Sequence, residues 1–155
     1  MAKPEDTLVI ETTKGRVTVE MWPDLAPKHV ARIKELARKG FYDGVVFHRV
    51  IDGFMAQGGD PTGTGGGGSG VKLPAEFSNE PFVRGTVGMA RTSDPNSAQS
   101  QFFIDFAPAP SLNGQYTVWG KVTKGMECVD KIKTGEPPTN PDKMIRVRVA
   151  ADVKE

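Results

Sequence analysis

The chain has few of the groups that most often carry catalysis or staple a fold. Its 155 residues include one cysteine, Cys128, and two histidines, His29 and His48. A lone cysteine excludes an internal disulfide, and a chain of this length builds a core without one. Cys128 reads as a small packed side chain. The histidines and the cysteine form no cluster with zinc-ligand spacing. A hydrolytic triad is also unsupported. There is no Gly-x-Ser-x-Gly elbow, His29 sits beside Lys28 and is expected on the exposed face of a helix, and His48 reads as a structural histidine on a strand. Paired carboxylates are not evident, because Asp52, Asp60 and Asp105 fall near turns or strand ends.

Charge of either sign in excess is missing as well. Twenty basic residues against 19 acidic ones leave a net charge of +1, so neither nucleic acid nor an anionic membrane is expected as a partner. No apolar run approaches the roughly 20 residues of a transmembrane helix. The charged start Met1-Ala2-Lys3-Pro4-Glu5-Asp6 does not resemble a signal peptide. A cytoplasmic monomer, folded as one domain with a core over about residues 7–153, is the expectation. A composition of 37% apolar and 25% charged residues suits a globular fold.

Glycine (18) and proline (12) cut the sequence into many short pieces, which favours strands over a helix bundle. Thr7–Thr12 and Arg16–Met21 flank a Thr-Lys-Gly turn, and Val17, Val19 and Met21 alternate with polar residues, predicting a hairpin with one wet face. Pro27 to Gly40 predicts an amphipathic helix with Val30, Ile33, Leu36 and Ala37 on one side. Further strands are predicted at Val45–Ile51, Phe54–Gly58, Gly85–Ala90, Gln101–Phe106, Thr117–Thr123 and Met144–Val153, the last with Ile145, Val147 and Val149 on one face. A second short helix is predicted from Met126 to Lys133. Eight short strands and two helices fit a closed eight-stranded antiparallel β-barrel capped by two α-helices. The Gly63–Gly70 run matches G-x-G-x-x-G formally, but no helix pattern follows and no Gly-Lys-Ser/Thr is present. It is expected to be a surface loop, not a phosphate cradle.

What remains for chemistry is one arginine among apolar and amide side chains. Arg49, Phe54, Met55 and Gln57 lie within nine residues, on two predicted strands around Asp52-Gly53. Phe103 can join Phe54 and Met55 in a pocket while Phe102 alternates to the other face. Gln57 and Gln101 offer neutral donors and acceptors for peptide groups. A guanidinium beside such a pocket suits binding a partly apolar peptide and polarising one of its bonds.

Taken in order, the ungapped run Phe47-His48-Arg49-Val50-Ile51, then Gly53-Phe54-Met55, Gln57-Gly58-Gly59-Asp60, Gly88-Met89-Ala90, Ser100-Gln101-Phe102-Phe103-Ile104, Leu112-Asn113-Gly114 and Val118-Trp119-Gly120-Lys121-Val122 resemble the cyclophilin-type peptidyl-prolyl cis-trans isomerases. The resemblance covers nearly the whole chain. It implies the same eight-stranded barrel, with a substrate groove on its outer surface and no cofactor or metal. It further implies Arg49 as the catalytic residue and Phe54, Met55, Phe103 and Leu112 as the proline pocket. Gln57, Gln101 and the backbone around Ala90, Arg91 and Thr92 would bind the peptide, with Tyr116 closing one wall. The implied partners are proline-containing peptides and unfolded or folding proteins. Three positions depart from the common family form: Ser111 where many members have Trp, Tyr116 where His is common, and Arg91 where Asn is frequent. Ser111 implies weakened cyclosporin binding. Two other functional classes stay open at this level, a non-enzymatic proline-peptide binding module and a nucleotide binder using the glycine loop.

Overall fold

A computed structural model describes residues 3–153; Met1 and Ala2, the first two residues of the charged start, lie outside them. The predicted hairpin forms from β1 (Thr7–Thr12) and β2 (Gly15–Met21), paired from Thr7↔Glu20 to Thr12↔Gly15. Its inward residues Leu8, Ile10, Val17, Val19 and Met21 are buried, as the alternation requires. Helix α1 (Pro27–Arg38) starts on its proline, and Gly40 beyond its end takes φ +72°. Seven more strands follow: β3 (Val45–Val46), β4 (Arg49–Ile51), β5 (Met55–Gly58), β6 (Thr86–Met89), β7 (Phe102–Asp105), β8 (Val118–Lys124) and β9 (Lys143–Val149).

All nine strands join one antiparallel sheet in the order β3-β9-β1-β2-β8-β6-β7-β5-β4. The sheet is curled but open, which corrects the expected closed eight-stranded barrel. The predicted strand Val45–Ile51 is the reason. Its first part pairs with β9 and its last part with β5, at opposite edges of the sheet. The two edges are therefore joined by the short link Phe47-His48 and by no ladder among the described residues. Phe47 N–H turns away to Asp142 O at 2.9 Å, and Val50 exchanges two hydrogen bonds with Gly135 (2.8 and 2.9 Å).

Three smaller expectations are corrected. The second helix, α2, covers only Met126–Val129, because the bonds from Lys131 and Ile132 tighten to carbonyls three residues back. The last strand stops at Val149 and carries a bulge opposite Glu11/Thr12, so Met144, Val147 and Val149 are buried while Ile145 is 52% exposed. His29 is fully buried, not solvent-facing. It shares a face with Ile33 and Leu36 at i, i+4 and i+7, and its Nδ1 lies 2.6 Å from Glu76 Oε1. Glu76 also accepts the N–H groups of Lys28 (3.2 Å) and His29 (2.9 Å), and so caps α1 from a distant segment. Burial lowers the His29 pKa against the opposing pull of Glu76.

The sheet's two faces serve different purposes. One packs Phe47, Phe102, Trp119 and α1 into the main core, where Tyr42–Phe102 and Phe102–Trp119 meet edge to face at 5.6 and 5.7 Å. The other carries a smaller cluster of Met55, Phe82, Phe103, Ala109 and Val118. That second cluster underlies the site.

Candidate functional site

Strand register places the key residues in a row. Arg49 on β4 is opposite Gln57 on β5, Gln57 is opposite Phe103 on β7, and Phe103 is opposite Gly88 on β6. Residues directly opposite share a face, so a guanidinium, an amide and an aromatic ring line up across three strands. Met55, two residues before Gln57, joins the same face and is buried. Gly88 completes the row by leaving space. A Cβ there would come within 2.7 Å of Phe82 Cε2 and 3.0 Å of Phe103 Cζ, and those rings stack with centroids 5.7 Å apart.

Two loops raise walls around this row. The turn Pro110–Leu112 brings Leu112 over the cluster, and Asn113 Oδ1 fixes the Phe82 N–H at 2.7 Å. Tyr116 stands edge-on to Phe103 at 5.8 Å. The segment after β6 is pinned by Ala90 N–H to Gln101 O at 2.9 Å. The result is a cavity of about 120 Å³, whose floor and sides are Phe54, Met55, Phe103, Leu112 and Tyr116. Arg49, Gln57, Ala90 and Arg91 form its polar margin. Nine of the eleven residues expected from the sequence thus converge on one cavity. The other two, Thr92 and Gln101, line an adjoining cavity of about 190 Å³, which shares Gln57, Ala90 and Arg91 with the first. Ser111 is exposed on the turn and lines neither.

Arg49 is 44% exposed at the mouth of the first cavity. Its Nε donates to Glu136 Oε1 at 3.1 Å and its Nη1 to Gln57 Oε1 at 3.3 Å. Gln57 Nε2 donates to Gln101 Oε1 at 3.0 Å, and Gln101 Nε2 donates to Gly65 O and Gly67 O at 2.9 and 2.8 Å. This chain of bonds fixes each amide's orientation and leaves Arg49 Nη2 without a protein partner among the described residues. Both N–H groups of Gln101 are committed to the glycine loop, whereas Gln57 keeps one free.

The loop itself is organised by Asp60. Its buried carboxylate accepts N–H groups from Thr62 (2.8 Å), Thr64 (3.1 Å), Gly65 (2.6 Å) and Gly67 (3.0 Å). Burial alone would raise its pKa. The hydrogen bonds from Thr62, Gly67 and Gly65 outweigh that and hold it well below the usual carboxylate range. The concave set of N–H groups suggested by the glycine pattern thus exists, but the chain's own carboxylate fills it. His48, beneath Gly65, is buried, and burial lowers its pKa despite the nearby Asp60 charge.

Sequence reasoning gave no role to Glu136, Phe82, Gly88 or Asp105. Glu136 and Phe82 come from loops with no periodic signal. Gly88 and Asp105 were visible in the strands, but their importance depends on register. Asp105 sits opposite Met55, fully buried, with neither carboxyl oxygen partnered among the described residues. Burial pushes its pKa up to about 7. Among the described residues no group of three His, Cys, Asp or Glu side chains is placed to hold a metal ion, and no helix is long and apolar enough to cross a membrane.

Known proteins resemble this chain over nearly its whole length. The family model for cyclophilin type peptidyl-prolyl cis-trans isomerase/CLD matches residues 7–149. A probable peptidyl-prolyl cis-trans isomerase of Brucella suis is 56% identical, over 99% of this chain and 87% of its own. A cyclophilin from Hirschia baltica superposes with a TM-score of 0.91 at 31% identity, over 99% of this chain and 77% of that one. A cyclophilin type isomerase of Cryptosporidium parvum, crystallised in the presence of the dipeptide Ala-Pro, gives a TM-score of 0.87 at 31% identity, over 92% and 98% of the two chains.

Proposed function

The chain belongs to the cyclophilin-type peptidyl-prolyl cis-trans isomerases, and from that premise we propose that its two-cavity groove accelerates rotation about X–Pro bonds, with Arg49 as the catalytic residue. The observation that carries this reading is the placement of Arg49 and Gln57 on one margin of an apolar cavity of about 120 Å³. That is the scale of the ~150 Å³ cavities that take up benzene, so a five-membered prolyl ring fits.

Unaided rotation breaks amide resonance against a barrier of roughly 18–20 kcal/mol and takes tens to hundreds of seconds. No covalent bond has to break, so the catalyst needs only to bind the twisted amide better than either planar form. Twisting localises a lone pair on the prolyl nitrogen. With Nε held by Glu136 and Nη1 by Gln57, the Arg49 guanidinium presents Nη2 to that developing acceptor. Met55, Phe103 and Leu112 grip the ring, while the free N–H of Gln57 and the backbone at Ala90 hold the flanking chain. Rotation is thereby confined to one side of the bond. Each tenfold gain requires about 1.4 kcal/mol, so four to five decades need roughly 6–7 kcal/mol, within reach of one charged donor plus orientation. The exposed Ser111 leaves the rim beside Leu112 low, and cyclosporin is proposed to bind weakly there.

Exchange spectroscopy on an Ala-Pro peptide tests the mechanism. Arg49→Ala should lower kcat by about 10²–10³, the usual cost of one such donor, while the peptide still binds. Unchanged exchange in the variant would overturn the role of Arg49. Binding without accelerated exchange in the wild type would overturn isomerase activity itself.

A further inference from the structure

Although the chain is nearly neutral, its groove is not. The two cavities are lined by two guanidinium groups and by no carboxylate. Arg49 has an acidic partner in Glu136, whereas Arg91, which borders both cavities, has no carboxylate within ion-pair distance among the described residues. The Arg91 head group is nonetheless held in place. Its Nε and Nη2 donate to Gln115 O at 3.0 and 2.7 Å, and its Nη1 donates to Thr92 O at 2.9 Å. Its Cζ lies 4.6 Å from the centroid of the Tyr116 ring. These bonds use three of five N–H groups and leave one on each terminal nitrogen. Asp94, the carboxylate nearest in sequence, is engaged by the Asn96 N–H at 2.9 Å.

An uncompensated, immobilised guanidinium with two donors to spare, set between a proline-sized cavity and a second polar one, is a receptor for an anion on the bound chain. We propose that Arg91 makes the enzyme selective for substrates carrying a carboxylate side chain close to the isomerising proline. The assignment rests on the isomerase reading above. Pairing of a carboxylate with a guanidinium already fixed in orientation costs little ordering of the protein and suits bidentate contact. The second cavity gives such a side chain room, since its other walls are glycine backbone, Ser97, Gln99 and Gln101.

The test walks Glu, Gln or Lys through each position flanking proline in a blocked alanine-rich peptide, with kcat/KM measured by exchange spectroscopy. At one position Glu should exceed Gln about three- to tenfold, the range of an ion pair at a partly exposed site. Lys should fall below Gln there. The Glu/Gln ratio should shrink toward one in 0.5 M salt, and should collapse in Arg91→Gln but persist in part in Arg91→Lys. Because each ratio is internal to one protein, loss of overall activity in a variant does not blur it. The salt dependence reads the charge in the unaltered enzyme. A wild-type ratio near one at every position would overturn the proposal, as would a ratio that survives in Arg91→Gln. Turnover of the all-alanine peptide reports separately on the isomerase reading: its absence would sink both, its presence without a Glu preference only the selectivity.

Discussion

Replacing Asp105 with asparagine should make the protein more stable above neutrality and leave it nearly unchanged in acid. The carboxyl is fully buried opposite Met55, and neither oxygen has a partner among the described residues. Desolvation raises its pKa from 3.8 to about 7. Below about pH 3.8 the group is protonated in both folded and unfolded chains, and its ionisation has no effect on stability. Between those values the unfolded chain releases the proton and the folded one retains it, so each pH unit removes about 1.4 kcal/mol of stability. Above about 7 the folded protein ionises as well, and the loss levels off near 4 kcal/mol. Asparagine is nearly isosteric and does not titrate. The variant should lie within about 1 kcal/mol of wild type at pH 4 and gain up to about 4 kcal/mol at pH 8, or roughly 10 °C in Tm for a domain of this size. Urea unfolding of both proteins between pH 4 and 8 measures the difference directly. Titration of Asp60 and the other carboxylates is common to both and cancels. Parallel curves across that range would show that Asp105 is solvated or partnered in solution, and would refute the reasoning.

Two further substitutions probe the site's walls. Gly88→Ala should force apart the stacked Phe82 and Phe103, costing about 1–3 kcal/mol of stability and raising KM for proline peptides; normal KM and Tm would mean the rings yield freely. Ser111→Trp should raise the rim beside Leu112 and tighten cyclosporin at least several-fold by calorimetry, and no change would place that wall elsewhere.

The parts of this fold legible in sequence were those with local periodicity. The β1–β2 hairpin and the face of α1 bearing Val30, Ile33 and Leu36 follow from spacings of two and 3.6 residues. Where long-range pairing decides, the pattern misled. Val45–Ile51 looks like one strand because its apolar spacing is continuous, but its halves belong to opposite sheet edges. His29 looked exposed because of the adjacent lysine, although its spacing to Ile33 and Leu36 already put it on the buried face. For the site, the ordered motifs named the lining residues. The orientation of Arg49 by Glu136, and the space supplied by Gly88, depend on loop contacts and register that no local window contains.

The seat of Asp60 has a consequence for the kinetics of recognition. Eight consecutive residues with four successive glycines would ordinarily flicker among many backbone states, and a peptide arriving beside them would have to select one. Here the Asp60 carboxylate fixes the loop as far as Gly67, and Gln99 holds the Gly70 N–H at 2.9 Å. The conformational entropy of this wall is surrendered when the protein folds, not when a substrate arrives. A peptide therefore meets this wall already set in shape. For an enzyme that breaks no bond, ordering this wall in advance spares each binding event that share of the entropic cost.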